Sequence, residues 1–288
     1  QMCIRDRNIL CSEAYLGFGG AAANYALATA RLSHKVTLIA STSQHPLSNI
    51  ALKRLEEEGV DISKVKFASN ILPGIVVVLV SENGERTMIS YRGANTLLDS
   101  KMLEDVPSDA KIVYFASVHP DVVINSYKYL EGRDIIISYD PGGEAFKNPK
   151  GVLKALNFID EILVNNLELK ALINSESYSD AKTLLKGRVK RVIVKCGGKG
   201  VYMVSKDSIS YIEAFTHGKV VDTTGAGDVF ASAYHTFYLE TLDYKCALKA
   251  GVIAAGIKVT RKGAQSAPIR SEVEDHLRKW KVNVKSLW

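Results

Sequence analysis

No run of apolar residues in this chain comes near the roughly 18 to 20 that a membrane-spanning helix needs, and residues 1–20 hold no apolar core of a secretion signal. The four cysteines, Cys3, Cys11, Cys196 and Cys246, are too sparse for a disulfide scaffold and show no C-x-x-C spacing. A reducing, cytoplasmic setting is therefore expected. A proline-rich linker, a low-complexity tract and an internal repeat are all lacking, so one domain is expected across residues 1–288. The Walker A pattern G-x-x-x-x-G-K-[ST] is absent as well, which excludes a P-loop. The net charge of +6 comes from 37 basic and 31 acidic residues spread along the chain, without a basic arm or a basic motif interleaved with aromatics. Neither nucleic acid nor membrane is expected as a partner, and an anionic small ligand would use part of the surplus.

What is present is an alternation of β-branched runs and helical stretches, with 47% hydrophobic residues, enough for a large core. Gly17 to Asn24, reading G-F-G-G-A-A-A-N, leads into a small-residue helix through Leu32. Gly17, Gly19 and Ala22 fit the dinucleotide fingerprint G-x-G-x-x-A. However, Cys11 to Leu16 is no convincing strand, and Ser41, Thr42 and Ser43 stand where the ribose-binding acid belongs. An NAD-binding oxidoreductase is thus the weaker reading. The other reading has Gly19 and Gly20 presenting bare backbone to a ligand whose hydroxyl Asn24 hydrogen-bonds, against the plain alternative of Asn24 on a helix surface. Val36 to Ala40 predicts a buried strand, followed by a helix through Glu58 that Gly59 closes. Ile75 to Val80 and Thr87 to Tyr91 predict an antiparallel pair around Asn83-Gly84. This insert, about residues 68–95, covers a site as a lid or stays a simple edge hairpin.

Further on, Lys111 to Ala116, Asp134 to Tyr139, Ile162 to Val164 and Arg191 to Lys195 predict strands of a mostly parallel sheet, with a helix over Asp121 to Leu130. Ligands of such sheets lie beyond the carboxyl ends of the strands. Those ends carry Asp140, the pair Asn165 and Glu168, and the turn Cys196 to Gly200, from which Val201 to Val204 pairs back. An N-x-x-E at a helix start either holds metal-bound water near phosphates or forms a capping box, and both remain open. Ala247 to Thr260 predicts a small-residue helix.

Val221 to Phe230, V-D-T-T-G-A-G-D-V-F, carries the most chemistry. Its glycine turn opens directly into an apolar helical pattern, so bare amides at a helix N-terminus face any anion bound there. Asp228 beside that anion suits a base that takes the proton from a hydroxyl attacking a phosphoryl group. The plainer reading is an ordinary first-turn helix acid.

Taken in order, these segments resemble the ribokinase-like carbohydrate kinases, also called the phosphofructokinase B family. The resemblance spans roughly residues 17 to 275 and rests most on Gly19 to Asn24 and Asp222 to Asp228. The lid ending at Gly93-Ala94-Asn95, Asn165 to Glu168, Gly197 to Gly200 and Thr260 to Gln265 follow in the family's order. It implies a three-layer α/β/α sandwich with a small β lid, and ATP-dependent phosphorylation of a hydroxyl with Mg²⁺. Asp228 is then the base, and the amides of Gly225, Ala226 and Gly227 form the anion hole. Gly19, Gly20 and Asn24 bind the acceptor, Asn165 and Glu168 organise Mg²⁺ through water, and Asn165, Lys195, Gly197, Gly198 and Gly200 line the nucleotide site. Asp222 and Thr224, with backbone near Gly263, match the place of a monovalent cation, often K⁺. The implied acceptor is a sugar or sugar acid of the ribose, fructose or 2-keto-3-deoxygluconate kind, with an adenosine- or cytidine-like nucleoside as the alternative and a non-catalytic ligand binder as a third. A homodimer through the lid, along Ile75 to Val80, is also expected. Departures are visible too. Family members carry a strand with an acceptor-binding acid upstream of the paired glycines, and this reading expects both to be missing here, as in a gene fragment of weakened activity. Val164 stands where proline is usual. Lys195 stands where a small hydroxyl residue is common, which alters the nucleotide contacts.

Overall fold

The computed structural model describes residues 10–80 and 86–287. The opening heptapeptide with Cys3 and the Asn83-Gly84 turn lie outside them.

Gly20, at φ 105°, cannot continue a helix backwards, so α1 (Ala21–Arg31) starts only after it. The next strand, β1 (Ala40–Ser43), begins where the sequence pattern predicts a strand to end. The reason lies in its partner. Thr37 bridges Asp61, but Ser63 then turns back onto the Asp61 side chain, and the parallel ladder resumes only at Ala40 with Val65 of β2 (Val65–Ala68). Between these strands runs α2 (Pro46–Glu57), with proline in its first turn and Gly59 at φ 90° beyond its end. The predicted hairpin is present as β3 (Ile75–Val80) and β4 (Arg86–Tyr91), a two-stranded antiparallel sheet standing apart from the rest.

The main sheet starts at β5 (Ile112–Ala116). It continues through α3 (Pro120–Leu130), β6 (Ile136–Asp140), α4 (Glu144–Lys147), α5 (Pro149–Ala155), β7 (Glu161–Asn165), α6 (Asn166–Ile173) and β8 (Arg191–Lys195). These four strands are parallel and adjacent. From β8 the chain turns back into β9 (Val201–Ser205) and β10 (Ile209–Ile212), both antiparallel. It then forms α7 (Ala226–Thr241), α8 (Tyr244–Lys258) and α9 (Arg270–Lys279) and closes the far edge with β11 (Lys285–Ser286). The resulting spatial order is β11-β10-β9-β8-β7-β6-β5.

Period-two alternation puts helices on both faces. Ile162, Val164, Val192 and Val194 point to one side and pack with Val123 of α3, Val152 of α5 and Leu169 of α6. Leu163 and Ile193 point to the other and meet Phe230 and Tyr234 of α7 and Leu248 and Val252 of α8. All four β7 and β8 residues on the first side are fully buried, and each such side chain contributes about 1.5–3 kcal/mol. Leu27, Leu38, Leu52, Leu55 and Val65 make a further core joining α1, α2 and the small parallel sheet to α7 and α8.

Several charged groups lie inside the fold, Glu161 among them. Glu161, 1% exposed, accepts from Arg191 Nε at 3.1 Å and Tyr234 OH at 3.2 Å, with His235 Nε2 at 2.6 Å from its other oxygen. Burial alone would raise its pKa, but His235 and Arg191 overcome that and hold it at about 2. His235 Nδ1 lies 3.0 Å from the Tyr25 hydroxyl, so the network ties α1 and α7 to the base of β7.

The lid is anchored below its strands. Ala94 N donates to Leu72 O at 2.9 Å, and Arg92 donates to Ser117 O at 2.9 Å and to Glu144 Oε1 at 3.3 Å.

Candidate active site

The carboxyl ends of β5, β6, β7 and β8 and the N-terminus of α7 converge on one cleft. Its lid side opens onto a broad, half-open depression of about 3460 Å³, lined among others by Gly19, Gly20, Asn24, Thr224 and Gly263. β1, β5 and the β3–β4 hairpin also border it.

The helix start at α7 is set by Gly225, at φ 79°. A Cβ there would sit 2.7 Å from Ala264 O, so glycine is required by both conformation and space. Among the described residues no side chain caps α7. The Ala226 amide donates to Thr223 O at 3.2 Å. That leaves the amides of Gly227 and Asp228, the next two of the first turn, without an intrahelical acceptor.

Asp228 lies in this first turn, and its Oδ2 accepts from Asn24 Nδ2 at 2.8 Å. Asn24 is 5% exposed, and its Oδ1 has no partner among the described residues. The Oδ1 lies 4.0 Å from where a Gly19 Cβ would be. The amide thus orients the carboxylate with one end and leaves an unpartnered acceptor at the other. Gly20 has open space over it, while Gly19 lies against Ala264. Burial raises Asp228 from 3.8 to about 7; the Asn24 hydrogen bond and Lys195 pull it down, while Asp140 and Glu168 push it up.

Lys195, the last residue of β8, stands at the centre of this group. Its Nζ contacts the Asp140 carboxylate and lies 3.3 Å from where a Cβ on Gly227 would be. Burial pulls its pKa down, but Asp140 and Glu168 more than offset that and hold it above the ordinary lysine value. Asp140 also accepts from Tyr114 OH at 3.3 Å and Gly142 N at 3.2 Å.

Asn165 and Glu168 form the capping box: Glu168 N donates to Asn165 Oδ1 at 2.9 Å and Asn165 N donates to Glu168 Oε2 at 2.8 Å. The box does not exclude a second role, because burial and the nearby Asp140 raise Glu168. Two buried acids crowded together are what a divalent cation relieves. Among the described residues no group of three or more His, Cys, Asp or Glu could hold a metal ion by itself, so a Mg²⁺ here would be carried on phosphates and water.

Gly197 and Gly198 are exposed, with nothing near a Cβ at either, and form an open rim beside Lys195. Gly200 differs from them. It is buried, and a Cβ would lie 2.1 Å from Ile212 O, so its glycine serves the β8–β9 turn and not a ligand surface. Asp222 and Thr224 are joined by a hydrogen bond from Thr224 N to Asp222 Oδ1 at 2.9 Å. Residues 10–20, ahead of α1, contain no strand, so the G-x-G-x-x-A match lacks the strand-turn-helix setting a dinucleotide needs.

The sequence reading missed the contact between Asn24 and Asp228, 204 residues apart, and the Tyr114 hydroxyl on Asp140. Only Lys195 gave a signal, as a charged residue where the resemblance leads one to expect a small one.

A family model described as pfkB family carbohydrate kinase matches residues 3–271. The deoxyribokinase of Salmonella typhi is 26% identical over 267 residues, covering 88% of this chain and 84% of that protein. The ribokinase of Haemophilus influenzae is 28% identical over 277 residues, covering 91% and 88%. The crystal structure of a nucleoside kinase from Methanocaldococcus jannaschii superposes with a TM-score of 0.82 at 23% identity, covering 95% of this chain and 91% of that one, a likeness of fold.

Proposed function

This chain belongs to the pfkB family of carbohydrate kinases, and from that premise we propose that it moves the γ-phosphoryl of MgATP to a hydroxyl of a sugar or sugar acid, with Asp228 as the base. Kinases of this family use ATP with Mg²⁺. The observation that carries the reading is the Asn24–Asp228 pair with the unpartnered Asn24 Oδ1 beside it. A hydroxyl that donates to Asn24 Oδ1 or Asp228 is held beside the amides of Gly227 and Asp228. Asp228 takes the proton as the oxygen attacks, while those amides and Lys195 face the charge of the transferring group. Mg²⁺, when bound with the nucleotide, neutralises phosphate charge. Asn165 and Glu168 would hold its water, and Gly197 and Gly198 would give the nucleotide an open backbone rim.

Ribokinase and deoxyribokinase as sequence relatives favour a sugar over a nucleoside. A coupled ADP-release assay with ribose, 2-deoxyribose, fructose, 2-keto-3-deoxygluconate, adenosine and cytidine tests this. Turnover is expected with one of the sugars or the sugar acid; turnover confined to a nucleoside would reverse the assignment.

The lid supports a homodimer. Val76, Val77, Val78, Val80, Met88 and Ile89 are each at least 42% exposed on two short strands that pair with no other strand among the described residues. A second copy packing on the hairpin buries this apolar surface. Sedimentation velocity is expected to show a dimer that Val77→Lys converts to monomer; a monomeric wild type would rule the interface out.

A further inference from the structure

Lys258, the last residue of α8, is fully buried, and its ammonium donates to the main-chain carbonyl of Asp222 at 2.7 Å. A charge removed from water persists only where it is hydrogen-bonded and faces opposite charge. Here it has the carbonyl end of its own helix and the Asp222 carboxylate, which it helps to keep ionised. Every polar atom of Asp222 is engaged in the same corner. Its amide donates to Val259 O at 3.1 Å beside that of Val221 at 2.7 Å. One carboxylate oxygen accepts from Thr224 N at 2.9 Å, and the other from Gly263 N at 2.9 Å. Three residues after Asp222 the anion turn begins at Gly225.

The family resemblance puts a monovalent cation in this corner, on Asp222 and Thr224 with backbone near Gly263. The donor set does not fit one. Both carboxylate oxygens already accept amide hydrogens, and the carbonyl of Asp222 accepts from an ammonium with the charge of K⁺ and about its size. A second cation drawn to the same Asp222 carbonyl would face a like charge nearby, where solvent screens poorly. We infer that Lys258 is a built-in cation that takes the place of a bound alkali-metal ion, so that this kinase holds its Asp222–Thr224 loop and turns over without one. The inference rests on the kinase reading for its effect on turnover. Its binding claim is tested separately.

The experiment compares KCl with tetramethylammonium chloride at equal ionic strength, read as both turnover and melting temperature. Wild-type protein is expected to differ by less than about twofold in rate and to show no K⁺-specific rise in melting temperature. Lys258→Ala, which opens space beneath Asp222, is expected to lose turnover in tetramethylammonium and to gain a melting-temperature rise with K⁺ that Lys258→Met, filled but uncharged, does not show. A K⁺-specific rise in wild-type melting temperature or an activation of wild-type turnover by about tenfold overturns the inference, and neither requires a variant to fold. Full turnover of both variants in tetramethylammonium overturns it as well. The melting arm reads cation binding whether or not the acceptor is known, so its failure stands apart from failure of the kinase reading.

Discussion

Asp228→Asn is expected to lower kcat/KM by about 10² to 10⁴ and, at about pH 8, to raise the melting temperature. The two effects share a cause. The carboxylate sits in the first turn of α7, where burial and the neighbouring Asp140 and Glu168 raise its pKa to about 7. That makes it a far better proton acceptor near neutrality than an ordinary aspartate. With Asp228 as the proposed base the free enzyme needs this group ionised, so kcat/KM is expected to fall about tenfold per unit as pH drops below about 7, and this acid limb should vanish from the residual activity of the variant. For stability the sign is opposite. The folded protein binds the Asp228 proton more tightly than the unfolded chain, so this group's contribution is greatest below the unfolded value of 3.8 and is lost as pH rises through about 7. Removing the charge therefore helps the fold on the alkaline side. Asp228 is only partly covered by protein, which holds the gain to about 2–4 °C. Wild-type turnover in the variant, or an acid limb unchanged in it, would remove Asp228 from the role of base.

The second large effect is expected from Lys195→Met. This substitution keeps most of the side-chain volume and deletes the charge that contacts Asp140 and lies beside Gly227. Asp140, Glu168 and Asp228 then face an arriving phosphoryl group without a compensating cation from the protein. Loss of one preorganised donor at a developing charge usually costs about 10² to 10³ in kcat, and a loss of that order is expected here. Asp228 also loses a group that lowers its pKa, so the acid limb moves to higher pH. Lys195→Arg keeps the charge and should recover part of the rate. A lysine that serves only to pair Asp140 would behave differently: the methionine variant would melt lower but keep its rate and its pH profile. That pattern in circular dichroism melts and pH-rate curves would confine Lys195 to the fold.

The parallel strands of the main sheet were legible because each carries an apolar run with Ile or Val, whereas β10 and the short, exposed β11 were not read from the sequence; the glycine turn with Asp228 was legible because its residues are contiguous. Val36 to Ala40 misled for the opposite reason. Where that ladder begins is decided by the Asp61–Ser63 turn, more than twenty residues away, and not by the run itself. Asn165 and Glu168 were read with both outcomes open, and the capping box is what the structure displays. The hydrogen bond from the Ala226 amide to Thr223 O was not legible in the sequence. The roles of Asn24, Lys195 and Lys258 depend on how far a side chain reaches across the fold, and neither periodicity nor composition encodes that reach.

The guanidinium of Arg92 has a consequence for how the two substrates communicate. At the foot of the lid it holds Ser117 O, and the amide of Ser117 in turn donates to Asp140 O at 2.8 Å, directly behind the carboxylate that Lys195 contacts. If an acceptor draws the hairpin down, this short chain of bonds connects the hairpin to the Asp140–Lys195 pair. Acceptor and nucleotide are therefore expected to change each other's affinity by one common factor, as thermodynamic reciprocity requires, with Arg92 as the mechanical link between the two halves of the cleft.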